Sequence, residues 1–157
     1  MYTILLLAEE ALHQHDVTRI ASLHDDDVSV HVLVPAHTEH NRLIEALDEV
    51  ALGNLRDALD DDSPSAEQAE RDAMHAVNAS VALFTAAGVG AKGSITGSNP
   101  IPAAIEAAAQ YDADEIIVVT APHLLTDGLH RDWASRLRDE IKLPVLHTIS
   151  GTDRVVS

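Results

Sequence analysis

Glu115-Ile116-Ile117-Val118-Val119-Thr120 is the stretch on which the fold turns. Four consecutive β-branched residues, entered from an acid and left through a hydroxyl, show no alternation of apolar and polar positions. A strand with one wet face alternates, whereas a strand buried on both faces does not. The stretch therefore reads as a central strand of a sheet covered on both sides, and the rest of the chain must supply the covers. Ile4-Leu5-Leu6-Leu7-Ala8, closed at once by Glu9 and Glu10, is another run of the same kind. Val28, Val30, Val32 and Val34 mark a β-branched strand stopped by Pro35. Ala91 to Gly97 and Pro144 to Ile149 complete a set of five.

Helical patterns fill the gaps. Leu12, Ile20 and Leu23 are the apolar points of a helix over 10–23. Leu43, Leu47, Val50, Ala51, Leu55 and Leu59 recur at threes and fours, an amphipathic stripe from about Asn41 to Leu59. Asp60-Asp61-Asp62-Ser63-Pro64 interrupts it. A further helix is expected from Ser65, with Gln68 closing a capping box, through Met74, Val77, Val81 and Phe84 to a stop at Gly88. Asn99 caps an alanine-rich helix over 103–111, with Pro100 at its first position. Asp127 caps a last helix ending near Ile141.

The order is β-α-β-(αα)-β-α-β-α-β, which implies a three-layer, doubly wound, mostly parallel five-stranded sheet with helices on both faces. One domain over 1–157 is expected, with an extra helical segment at about 41–62 and no internal repeat. In such sheets ligands bind beyond the carboxyl ends of the strands, where the strand order reverses. A site would draw on Ala8–Glu9, Pro35–His37, Gly97–Asn99 and Thr120–His130.

Composition narrows the partners. The chain has 157 residues, of which 46% are hydrophobic, enough for one packed core. With one Trp, two Tyr and one Phe, that core is aliphatic and offers few platforms for stacking bases. A formal net charge of −16 repels phosphate backbones and anionic lipid, so neither nucleic acid nor a membrane is an expected partner. Absence of cysteine excludes disulfides and thiolate metal sites. The chain opens Met-Tyr-Thr with no basic leader, and its first apolar run is far too short to span a bilayer. A cytoplasmic location is the expectation.

Several fragments, taken in order, resemble the universal stress protein family. They are Met1-Tyr2-x-Ile4-Leu5, Val30-His31-Val32-Leu33-Val34, Gly97-x-x-Pro100 before an alanine-rich helix, Ala113-Asp114-Glu115-Ile116-Ile117-Val118-Val119, and Leu143-Pro144-Val145-Leu146. Their spacing spans nearly the whole chain. The resemblance implies an adenine nucleotide α-hydrolase-like, Rossmann-like fold. In ATP-binding members an acid after the first strand and a valine in the second hold the adenosine, and Glu9 and Val32 take those places here. A Gly-x-x-Gly-x9-Gly-Ser/Thr pattern then cradles the triphosphate, because backbone N–H groups reach phosphate most closely where no Cβ intervenes.

At that pattern the chain departs from the family. Thr120-Ala121-Pro122-His123 stands where the resemblance places Gly-x-x-Gly, Pro122 lacks a backbone donor, and Gly128 is the one glycine left in the loop. Asp127 and Asp132 add negative charge there. The candidate cleft comprises Ala8, Glu9, Val32, Gly97, Thr120, Pro122, His123, Thr126 and Gly128. The expectation is a non-enzymatic regulatory or stress-response module that does not bind ATP in the family's manner and needs no cofactor. The alternative is a sensor of ATP or AMP with Mg²⁺ built on a remodelled loop.

Other constellations are weaker. His37 and His40 could share a helical face, but two histidines without a third ligand make no metal site, and none is assigned. No nucleophile elbow surrounds Ser94, Ser98, Thr120 or Thr126. Trp133 reads as core, although the arginines beside it also suit a protein interface. Val145-Leu146-His147-Thr148-Ile149 is expected at a sheet edge, where an apolar strand invites another chain. The resemblance implies a homodimer through that strand.

Overall fold

The structure, a computed structural model, describes residues 2–23, 27–36, 62–97, 99–120, 128–152 and 155–156, with backbone only at 62–66, 128–132 and 155–156. The elements run β1 (Tyr2–Ala8), α1 (Gln14–Ser22), β2 (Val28–Pro35), α2 (Asp62–Ala86), β3 (Gly90–Thr96), α3 (Ile101–Gln110), β4 (Glu115–Thr120), α4 (Gly128–Glu140), β5 (Val145–Ile149) and β6 (Val155–Val156). The strands form one sheet in the order β3-β2-β1-β4-β5-β6. The first five in that order are parallel, and β6 is antiparallel to β5. The expected doubly wound sheet is therefore present. The amphipathic tract from Asn41 to Leu59 lies outside the described residues.

The continuous apolar runs do what such runs must in the middle of a covered sheet. Along β1, Ile4, Leu6 and Ala8 join Val17 and Ile20 of α1 and Val77 and Phe84 of α2 in one core layer. Leu5 and Leu7 point the other way and join Ile101, Ala104 and Ala108 of α3 with Trp133 and Leu137 of α4. β4 divides likewise, Ile117 and Val119 to the first layer and Ile116 and Val118 to the second. At about 25 cal/mol per Å² of apolar surface, these two layers are the main stabilising term.

Small residues set how closely the layers approach. A Cβ at Gly93 on β3 would overlap Val77 Cγ1 and meet Val81 Cγ2 at 3.3 Å, so its missing side chain lets α2 lie close on the sheet. Gly88 ends α2 with φ +81, and the bonds Val89 N–H to Phe84 O (2.9 Å) and Gly88 N–H to Thr85 O (3.0 Å) close the helix terminus. The helix after β3 starts at Ile101, ahead of the expected Ala103, and its N-cap is Pro100 and not Asn99, whose Oδ1 accepts from Ile101 N–H at 3.4 Å.

Three further expectations need correction. α1 begins at Gln14 and not at Glu10, because Leu12 is buried from within the connecting loop and its N–H is taken by Ser80 Oγ at 3.1 Å. α2 begins at Asp62, three residues before Ser65. The sheet gains a sixth strand: β5 is the last parallel strand but is not the outermost one, since Val156 pairs with His147 and Val155 with Thr148.

Candidate functional site

The strand order reverses between β1 and β4, so α1 leaves β1 toward one face while α4 follows β4 on the other. That divergence opens the carboxyl ends of the strands, the place where open α/β sheets bind ligands. Ala8 pairs with Val119 and is fully buried. One residue on, Glu9 donates its backbone N–H to Val119 O at 3.1 Å, which carries the ladder to the rim and leaves Glu9 half-buried. Glu10 follows, exposed. The first rim element is thus a pair of carboxylates at the end of a central strand.

Thr120 stands beside them at the end of β4. Its side chain is 4% exposed, and its Oγ1 lies 2.9 Å from His147 Nε2, itself 2% exposed on β5. Its carbonyl accepts the Ser150 N–H at 2.8 Å. Both polar atoms of Thr120 that could face a ligand are therefore engaged within the fold. In the sequence alone His147 is one residue of an apolar edge strand. The parallel register of β4 and β5 brings it under Thr120 across 27 residues, and no local pattern signals that pairing.

A second polar group packs close to the rim and was not foreseen. Asp16, in the first turn of α1, is 4% exposed. Its Oδ2 accepts from His13 N–H at 3.0 Å and Ser150 Oγ at 3.1 Å, and its Oδ1 accepts from Gly151 N–H at 2.8 Å. Gly151 has φ +73, a left-handed conformation that favours a residue without a side chain. Arg19 Nη1 donates to Thr152 O at 3.1 Å. The turn after β5 is thereby fastened to α1. The signal available in the sequence was His13-x-x-Asp16, a capping box written with an unusual pair.

Of the sequence-derived cleft residues, Ala8, Glu9 and Thr120 come together at the switch point. Gly97 lies beyond β2, following β3, exposed and with open space around the position of a Cβ. Val32 is wholly buried in the middle of β2, paired with Leu6 and Gly93, and its side chain belongs to the α1–α2 core layer. Gly128 opens α4. Pro122, His123 and Thr126 lie outside the described residues, as do His37 and His40. Among the described residues no group of three His, Asp or Glu side chains converges as a metal site would require. No helix among them is long and apolar enough to cross a membrane.

Among the described residues, five parallel strands in the order 3-2-1-4-5 with helices on both faces and a rim at the β1/β4 reversal define a doubly wound α/β sheet. Solved structures of this fold that the chain is similar to include universal stress protein family structures. One is a universal stress protein family protein of Arabidopsis thaliana with AMP bound, at TM-score 0.53 and 13% identity, covering 96% of this chain and 94% of that one. Another, from Burkholderia pseudomallei, has a TM-score of 0.52 at 16% identity, with coverage of 93% and 95%. A hypothetical protein, PH0823, matches at TM-score 0.52 and 16% identity over 98% of this chain and 100% of that chain. No protein-family model and no curated protein matches the sequence. The likeness is one of fold, over almost the full length of each chain.

Proposed function

We propose that this chain is a regulatory module of the universal stress protein kind, homodimeric and non-enzymatic, which does not hold ATP in that family's manner. The observation that carries the reading is the Thr120–His147 pair, 2.9 Å apart and buried at the end of β4. By resemblance, Thr120 stands at the first glycine of the phosphate-binding pattern. A glycine there leaves the backbone open to a phosphate oxygen, whereas here a side chain is present and bonded inward. Glu9 and Glu10 add negative charge at the neighbouring strand end, which opposes a triphosphate. The residues present do not fit the triphosphate of ATP, and no catalytic role is assigned to any of them.

A second reading retains the nucleoside. The Arabidopsis protein of the same fold was solved with AMP, and Glu9 occupies the rim position that the resemblance gives to the adenosine-binding acid. A site for AMP, or for ATP with Mg²⁺ held mainly by its adenosine, would use Glu9 and the main chain of β2 near Val32.

Thermal unfolding with and without millimolar ATP, AMP and Mg²⁺ separates the two. A ligand at about a hundred times its dissociation constant stabilises by about 2.7 kcal/mol, a rise of several degrees for a domain of this size. No shift with any nucleotide is the expected result. A saturable shift with AMP alone supports the nucleoside reading, and one that grows from AMP to ATP–Mg²⁺ overturns the loss of phosphate binding.

A further inference from the structure

The β5 edge, through which the resemblance implies that two copies meet, is not bare. β6 lies along β5, antiparallel, with Val156 opposite His147 and Val155 opposite Thr148. We infer that β6 is an intramolecular cap that competes with a second copy of the chain for the outer edge of β5, so that the C-terminal residues hold down self-association. This inference rests on the homodimer reading and adds its regulation.

Direction is the first argument. Two copies related by a two-fold axis can join like edges only antiparallel, and β6 already lies along β5 in that direction. The N–H and C=O groups of β5 that face away from β4 cannot serve β6 and a second β5 together. Occupancy by β6 is thus direct evidence that this edge accepts an antiparallel strand, and also that the edge is taken.

Length is the second argument. β6 has two residues and β5 has five, and β6 is in register with His147 and Thr148 alone. A β5 strand from a second copy would pair along the whole edge, including Val145 and Leu146. The cap is therefore the shorter and weaker partner, and it prevails only if something holds it in place.

Tethering supplies that hold. The turn leading to β6 is fixed through Asp16 to Ser150 and Gly151, and through Arg19 to Thr152. A segment tied this closely is present at its site at an effective concentration on the order of millimolar. A second copy competes at its bulk concentration, so in the micromolar range the tether favours β6 by roughly a hundredfold to a thousandfold. That factor offsets the shorter pairing.

The test is sedimentation velocity across the micromolar range on three proteins: the full chain, the chain ended at Arg154, and the full-length double variant Val155→Pro/Val156→Pro. Ending at Arg154 leaves the anchored turn in place, and the proline variant keeps the length while removing two backbone donors. Both altered proteins are expected to dimerise with a dissociation constant lower by roughly tenfold or more. Hydrogen exchange should show residues 145–149 gaining protection as their concentration rises. Equal dimerisation of all three overturns the cap and leaves the dimer standing. Weaker dimerisation of the altered proteins shows that β6 is itself the interface, which also overturns the cap. Monomers throughout overturn the dimer and the cap together. Far-UV circular dichroism and thermal unfolding of each protein confirm that only the edge has changed.

Discussion

Asp16 Oδ1 accepts the backbone N–H of Gly151 at 2.8 Å, joining the first turn of α1 to a turn 135 residues later. With the bonds from His13 and Ser150, three donors converge on one buried carboxylate. This is an anion site whose anion belongs to the chain. The helix N-terminus and the β5–β6 turn stabilise the same charge, so each makes the other's geometry more favourable.

Asp16→Ala leaves those three donors without an acceptor in a nearly closed space. A loss of about 3 kcal/mol is expected, since an unsatisfied buried group costs about 1–3 kcal/mol and hydrogen bonds to charge lie at the upper end. Asp16→Asn keeps one acceptor oxygen and should lose about half as much. Urea unfolding monitored by circular dichroism measures both. Equal stability of wild type and Asp16→Ala would show that the tie contributes nothing.

Gly93→Ala places a methyl group against Val77 Cγ1 at the β3–α2 contact. Overpacking of this kind costs about 1–3 kcal/mol. Val77→Ala should recover much of that loss in the double variant, giving a favourable coupling energy between the two sites. Gly97→Ala, in open space with no positive φ, should stay within about 0.5 kcal/mol of wild type. A Gly97 variant worse than the Gly93 variant would contradict the packing described here.

His31 predicts a pH effect. Its ring stacks on Tyr111 with centroids 4.2 Å apart, its Nε2 lies 3.5 Å from Ser94 Oγ, and burial, followed by the charge of Lys92, lowers its pKa. The unfolded chain, with an ordinary histidine pKa of about 6.5, then binds the proton first. Stability from this group is complete above that value and is lost as pH falls toward the lower folded pKa. His31→Phe keeps a ring to stack on Tyr111 but cannot titrate, so its stability relative to wild type should rise as pH falls below about 6.5. Parallel stability curves for the two proteins would remove His31 as the source.

Asp112 has φ +50, and the Ala113 N–H bonds Ala108 O at 3.0 Å, so α3 ends in the same left-handed turn as α2 but without a glycine. Relief of the left-handed strain in Asp112→Gly is worth about 1–2 kcal/mol, less about 0.5–1 kcal/mol for the added freedom of the unfolded chain. A net gain of about 0.5 kcal/mol is expected. Gly88→Ala imposes the opposite change at φ +81 and should cost about 1 kcal/mol. Thermal midpoints moving in the same direction for both variants would refute the shared-turn account.

What the sequence made legible was decided by local pattern. Ile116–Val119 and Leu5–Leu7 carry the two-face burial of their strands in their own composition, and Gly88 carries its helix stop. The parallel, doubly wound character of the sheet followed from the alternation of strands and helices, whereas the strand order did not. The polar groups at the rim were not legible in this way. Asp16 looks like one more surface acid on an amphipathic helix until Ser150 and Gly151 arrive from the far end of the chain. His147 looks like a polar interruption of an apolar strand until the parallel register sets it beneath Thr120. Leu12 sits at a helical spacing yet is buried from a loop, because Ser80 on α2 satisfies its backbone. β6 is too short to register beside the five longer strands.

The central place of β1 in the sheet governs how the chain can assemble during synthesis. Of the six strands of the sheet β1 is made before the others, yet one of its two neighbours, β4, follows more than a hundred residues later: the Thr3 N–H bonds Asp114 across a separation of 111. The β1–β2–β3 half, with α1 and α2 laid on it, can form while the rest is still being made. Until Glu115–Thr120 emerges, the other side of β1 is an open apolar margin. Pairings of such long sequence separation slow folding and leave unpaired edges prone to aggregate. The nascent chain is therefore most exposed after its first half is complete, and translation pauses or chaperone contacts that matter for this protein should fall in that interval.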